Sequence, residues 1–223
     1  MTSAHDVVQA IRLPQTVPFS IPSDLQHEPL ASFRQSLTEK EHFLFNLSHP
    51  HLYVNTITPE TRNICPILNN IRNDFGQTVC DNWTILATTN MDLLRGSLLA
   101  SCRYMAQVEM NSQYAQCADQ YKLNIVRDLQ NAIAVDSPSS RRDAVSKALV
   151  LTFDDISLQN AAMARMHLTG ALHIINAAGG IAALGLSDLI SYLISNCVYS
   201  KRILDEEPDV LQRSRRYWGT TGL

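Results

Sequence analysis

Residues 91–110 read MDLLRGSLLASCRYMAQVEM, and that stretch decides the fold. Helical spacing puts Leu94, Leu98, Ser101, Met105 and Val108 on one face, with Leu93, Ala100 and Tyr104 beside them. Downstream, residues 112–134 repeat the pattern through Tyr114, Ala118, Tyr121, Ile125, Leu129 and Ile133. Ser137 before Pro138 reads as an N-cap with proline at the first helical position, opening a helix that turns Val145, Ala148, Leu149 and Thr152 inward. Ser157 is expected to cap the next helix, with Leu158, Ala161, Arg165, Leu168, Leu172 and Ile175 as its seam and Gly179-Gly180 as its end. Ser187 starts a last helix that buries Leu189, Ile190, Leu193, Ile194, Cys197 and Val198 and is bounded by Pro208.

Upstream, Thr38-Glu39-Lys40-Glu41 forms a capping box before HFLFNL, predicting a short helix over 39–48 that stops before Pro50. Between 50 and 89, Pro59 and Pro66 interrupt the chain, and ICPILNNIRNDF is expected to form a helix after Pro66. No stretch sustains an alternation of period two. The fold class is therefore all-α: an irregular bundle or array of antiparallel amphipathic helices.

The chain has 223 residues, 45% of them hydrophobic, which is enough to bury a core without disulfide or metal staples. Only 17% are charged, against about 25% in ordinary globular proteins. A net charge of −3 and a pI near 6.1 supply no global positive field for nucleic acid. The first residues, MTSAHDVVQAIRLPQTVPFS, lack a continuous apolar core behind a basic start, so no signal peptide is expected. The longest apolar run, AAGGIAALGL at 177–186, is too short to span a membrane. Cys65, Cys80, Cys102, Cys117 and Cys197 are odd in number and widely spaced, which suits reduced thiols inside a cell. Three regions follow. Residues 1–37, with Pro14, Pro18, Pro22 and Pro29, read as a flexible leader, 38–205 as the helical domain, and 206–223 as a mobile tail.

A search for chemistry finds little. Gly180-x-x-x-x-Gly185-Leu186-Ser187 has phosphate-loop spacing, but a helix precedes it and leucine stands where lysine belongs, so it reads as a helix end and linker. His49-Pro50-His51 has no acidic or thiol neighbour and reads as solvated loop. His167 and His173 diverge by about 120° around their helix and cannot share a metal. His167 reads as a packed or partly exposed histidine. Asp154-Asp155, before a helix start, reads as a capping pair. Arg213, Arg215 and Arg216 are largely cancelled by Asp205, Glu206, Glu207 and Asp209. No catalytic residue, cofactor or metal is expected.

One stretch is distinctive: Arg165-Met-His167-Leu-Thr-Gly170-Ala-Leu-His-Ile-Ile-Asn-Ala-Ala-Gly179-Gly180-Ile-Ala-Ala-Leu184-Gly. It resembles the middle of the fungal-specific transcription factor domain, where a helix bearing His-Leu-x-Gly runs into a Gly-Gly turn, a leucine and a further amphipathic helix. His167, Leu168, Gly170, Gly179, Gly180 and Leu184 match those places one by one. Ala118-x-x-Tyr121-Lys122 and Leu129 are similar to the family's preceding helix. The resemblance covers roughly 90–205, and weakly the capping-box helix. Physically, Gly170 is expected to let a neighbouring helix approach, and Gly179 or Gly180 to take the left-handed conformation that ends a helix.

The resemblance implies a non-enzymatic regulatory domain, acting in transcription regulation in the nucleus through protein contacts. Its partners would be other proteins or a second copy, with no membrane, and DNA would be reached only through a separate module. The family's six-cysteine zinc cluster has no counterpart in residues 1–60, which contain no cysteine. The family domain also runs past the point where this sequence stops, which leaves a truncated gene model, a regulatory relative without its DNA-binding half and a divergent member as open readings. A generic helical adaptor and a small-molecule-sensing helical domain are the alternatives in function. Lost cover is expected to expose apolar faces of the helices at 140–153 and 187–203, so that the chain self-associates or needs a missing partner.

Overall fold

A computed structural model describes residues 37–48, 90–135 and 137–200. In chain order these form α1 (Glu39–Ser48), α2 (Met91–Val108), α3 (Ser112–Val135), α4 (Pro138–Ser157), α5 (Ala161–Ala177), α6 (Ile181–Leu184) and α7 (Asp188–Ser195). A π-helical turn, Asn196–Ser200, continues α7. No strand occurs among the described residues, and the fold is all-α. The helix expected after Pro66, the leader and the tail lie outside the described residues, as do His49 and His51.

Side-chain caps set where the helices begin. Thr38 and Glu41 close the capping box, with the Thr38 amide donating to Glu41 Oε2 at 2.9 Å and the Glu41 amide to Thr38 Oγ1 at 3.3 Å. Asn90 Oδ1 accepts from the Asp92 and Leu93 amides at 2.9 and 3.2 Å. Ser137 Oγ caps α4 ahead of Pro138, and Ser187 Oγ accepts from the Ile190 amide, both at the sequence-predicted positions. Ser157 does not cap α5. It ends α4, its hydroxyl donating to the Asp154 carbonyl at 2.7 Å, and Asn160 caps α5 instead.

Three-residue or shorter links fold α2, α3, α4 and α5 into successive antiparallel pairs. Arg95 and Arg103 of α2 meet Asp128 and Asp119 of α3 in reversed order, which fixes the first pair's direction. α2 and α4 run parallel: Asp92 meets Lys147, and Arg103 meets Asp154. Between those contacts Gly96 sits against Val150. A Cβ at Gly96 would lie 2.8 Å from both Val150 methyl groups, so only glycine admits this crossing. α1 lies on α2, burying Leu44 and Phe45, and its Leu44 carbonyl accepts from the Ser101 hydroxyl at 2.9 Å.

Burial corrects several faces. Val108 and Ile133 are exposed at 60% and 58%, because both stand in the last turn of their helices. Leu158 is exposed and Ala164 and Ala171 take its place in the α5 seam. α4 has no outer face at all between Ala144 and Asp155, every residue of which is buried. The loss of cover expected on the helices at 140–153 and 187–203 is not seen at their described apolar residues: Val145, Ala148, Leu149, Leu189, Ile190, Leu193, Ile194, Cys197 and Val198 belong to the same buried apolar core as α2 and α5, while 201–203 lie outside the described residues.

Candidate functional site

The all-round burial of α4 forces its charges inward. A helix with apolar residues on every side, here Ala144, Val145, Ala148, Leu149, Leu151 and Phe153, has nowhere to expose Lys147, Asp154 or Asp155. Each must find a partner, since an unpaired buried charge is costly. Lys147 pairs with Asp92 in the first turn of α2, where the carboxylate also meets the positive end of that helix.

Asp154 and Asp155 form the larger cluster. Arg103 of α2 reaches Asp154 Oδ1 through Nε at 3.1 Å and Asp119 Oδ1 through Nη1 at 2.9 Å. Lys122 of α3 lies 2.9 Å from Asp154 Oδ2 and 2.7 Å from Asp155 Oδ1. His167 of α5 places Nε2 3.3 Å from Asp155 Oδ2. The Asp154 and Asp155 side chains are 2% and 1% exposed, so four helices meet on two carboxylates sealed from water.

Burial opposes the charges of Arg103 and Lys122, but the adjacent carboxylates outweigh it and hold both firmly protonated. Burial dominates at His167 and lowers its proton affinity, although Asp155 pulls the other way. Three carboxylates thus face two permanent cations beside a neutral imidazole. Arg103, Lys122 and His167 each lie within ion-pair distance of a carboxylate, while Asp154 Oδ2 and Asp155 Oδ2 are buried and accept no hydrogen bond. Among the described residues no group of histidine, cysteine and carboxylate side chains could hold a metal ion.

This arrangement corrects the capping role expected for Asp154-Asp155. Their side chains point into the helix interface, and the amides after α4 are satisfied by backbone instead: Gln159 donates to the Ile156 carbonyl and Asn160 to the Asp155 carbonyl. Lys122, Arg103 and Asp119 carry no isolated signal in sequence. The signal that does exist is the unbroken apolar surround of 144–155, which leaves its charges no route to solvent.

The six motif residues fall into different roles. Leu168 and Leu184 are fully or nearly fully buried in the shared core. His167 joins the ionic cluster. Gly179 and Gly180 both have positive φ, +89° and +112°, and end α5 through bonds from Gly179 to the Asn176 carbonyl and Gly180 to the Ile175 carbonyl. Gly170 does not serve helix approach. It is exposed, and a Cβ there would meet nothing within 4 Å. The close approach belongs to Gly96.

A family model described as fungal specific transcription factor domain matches residues 51–203. No curated protein and no solved structure matches the chain.

Proposed function

Starting from the premise that this chain belongs to the fungal specific transcription factor domain family, a regulatory rather than a catalytic domain, we propose that it regulates transcription in the nucleus through protein contacts. The observation that carries the reading is the match over 51–203, which spans every described helix from α2 to α7. Two features support it. The ionisable side chains of the four-helix cluster are spent on holding helices together, as an interaction scaffold requires. Large apolar side chains such as Met110, at 88% exposure, and Met91, Val108 and Val135 stand on the surface where a partner would meet them. Partners would be other proteins or a second copy of this chain, and DNA would be reached through a separate module. No described helix is long and apolar enough to cross a membrane.

The test is to tether residues 1–223 to a heterologous DNA-binding domain above a reporter gene in a fungal host. A change in reporter transcription of several-fold, up or down, relative to the DNA-binding domain alone is the expected result. Reporter output identical to that control, with the fusion present in the nucleus at equal amounts, would sink the proposal.

A further inference from the structure

α1 stands apart from the other helices in two ways. It ends at Ser48, outside the family match over 51–203, whereas α2 to α7 all lie inside it. Links of three residues or fewer tie α2 through α7 in order, but residues 49–89 lie between α1 and Asn90, the cap of α2.

α1 nevertheless fits its face closely. Leu44 and Phe45 are both 0% exposed. The Ser101 hydroxyl of α2 donates to the Leu44 carbonyl at 2.9 Å, and the Tyr121 hydroxyl of α3 donates to Glu41 Oε1 at 3.2 Å. Lys40 Nζ lies 5.5 Å from the centre of the Tyr114 ring of α3, a cation–π contact. At 10 residues α1 is shorter than a helix that keeps its shape alone in water, so it depends on the face that receives it.

We propose that the α2–α3 face is a docking site for α1 of a second copy of this chain, the two chains exchanging helices reciprocally. The second copy carries the same Lys40, Glu41, Leu44 and Phe45, so the exchanged contacts repeat the internal ones and need no new complementary surface. Drawn out, a chain as long as 49–89 reaches on the order of 100 Å, so covalent connection does not dictate which copy's face an α1 occupies. The internal α1 wins while its effective concentration, at most about millimolar, exceeds that of other copies. The inference deepens the reading of a second copy as partner and rests on it.

The experiment separates helix from face in the full chain, under reducing conditions. L44A/F45A cripples α1 and leaves the face intact, whereas Y121E sets a carboxylate against Glu41 and cripples the face while α1 stays intact. Each variant alone should run as a 24.9 kDa monomer in size exclusion with light scattering. Mixed one to one and concentrated, they should approach about twice that mass, because α1 of Y121E fills the vacated face of L44A/F45A. Wild type should need a higher concentration to dimerise, since its own α1 competes. If L44A/F45A loses the wild-type far-UV spectrum, K40E/E41K replaces it, its changes lying at the exposed and half-buried rim of α1. A mixture that stays monomeric up to about 1 mM, or either variant dimerising alone as readily as the mixture, would overturn the proposal. Neither result moves the reporter assay, so loss of exchange is distinguishable from loss of the regulatory reading.

Discussion

α4 and α5 are neighbours of similar length, 20 and 17 residues, yet they relate to the rest of the molecule in opposite ways. α5 buries one stripe, Ala164, Leu168, Ala171, Leu172 and Ile175, and leaves Met166, Gly170 and His173 to solvent. α4 is surrounded from Ala144 to Asp155 and carries two separate sets of buried charge. The recognisable motif is on the peripheral helix and the electrostatics are on the central one. A helix with one wet side advertises its orientation through periodicity, whereas a helix enclosed on all sides has no period to read. What it does with its polar residues is settled by helices distant in sequence.

The largest expected effect tests the claim that α4 is the electrostatic centre. D155A leaves Lys122 without its nearer carboxylate and His167 without the carboxylate 3.3 Å from its Nε2, in a site nearly sealed from water. Breaking a buried pair from one side costs about 3–5 kcal/mol. Urea denaturation of D155A and wild type measures it. A companion variant, D155L/K122M, removes both charges and should recover part of the loss, with Arg103 remaining as the cation of Asp154. A loss in D155A below about 1 kcal/mol, the range of surface pairs, would mean the cluster is wet and α4 is not enclosed.

Next in size is the crossing of α2 over α4. G96A places a methyl 2.8 Å from both Val150 Cγ atoms, closer than carbon atoms approach, and overpacking of this kind costs about 1–3 kcal/mol. Adding V150A makes room, so the double variant should be more stable than the loss from G96A plus the loss from V150A would give. Strict additivity in that cycle would show that the two helices are not in register here.

Gly170 and Gly179 of the motif should respond with opposite signs, which separates backbone need from packing need. Gly179 holds φ at +89°, where a Cβ is penalised, so G179A should lose about 1–2 kcal/mol. Gly170 lies mid-helix with open space around it, so G170A should gain up to about 1 kcal/mol through helix propensity alone. Thermal melts of the pair decide the matter, and a destabilised G170A would mean that another surface normally covers that position.

These positions also show how far the sequence could be read. Caps at Thr38, Ser137 and Ser187 are local: the side chain and the amide it accepts from are three residues apart, so each was legible before any tertiary structure. The end of α5 was legible for the same reason, because Gly179-Gly180 announces a left-handed residue. The end of α4 has the same bond pattern, from Gln159 to Ile156 and from Asn160 to Asp155, but Gln159 occupies the left-handed place at φ +58°. Without a glycine nothing marks the stop, so the sequence predicts a cap at Ser157 where the structure has Asn160. Val108 and Ile133 failed differently, since periodicity says which face a residue occupies but not whether its neighbour is long enough to cover it. Lys122 is visible in the sequence only through the Ala118-x-x-Tyr121-Lys122 resemblance, and neither its role nor that of Gly96 can be read there: both depend on Asp154-Asp155 and Val150, more than 30 residues away.

The smallest expected effect concerns a titrating contact between α4 and α5, His167 to Asp155. Asp155 and Asp154 favour a protonated imidazole, Lys122 opposes it, and burial opposes it more strongly, so the folded chain holds His167 below its ordinary value of 6.5. In the unfolded chain the ring titrates near that ordinary value. Above it both states are neutral and the contact costs nothing. As pH falls through 6.5 the unfolded chain takes up a proton first, and stability drains until the folded value is passed. H167Q keeps a neutral donor toward Asp155 but cannot titrate. Melts of both proteins from about pH 7.5 to about 5.5 should therefore show wild type losing stability relative to H167Q, since only histidine charges in that window. The reverse trend, wild type gaining on acidification, would mean that the two carboxylates outweigh burial and that His167 pins α5 to α4 as one half of an ion pair.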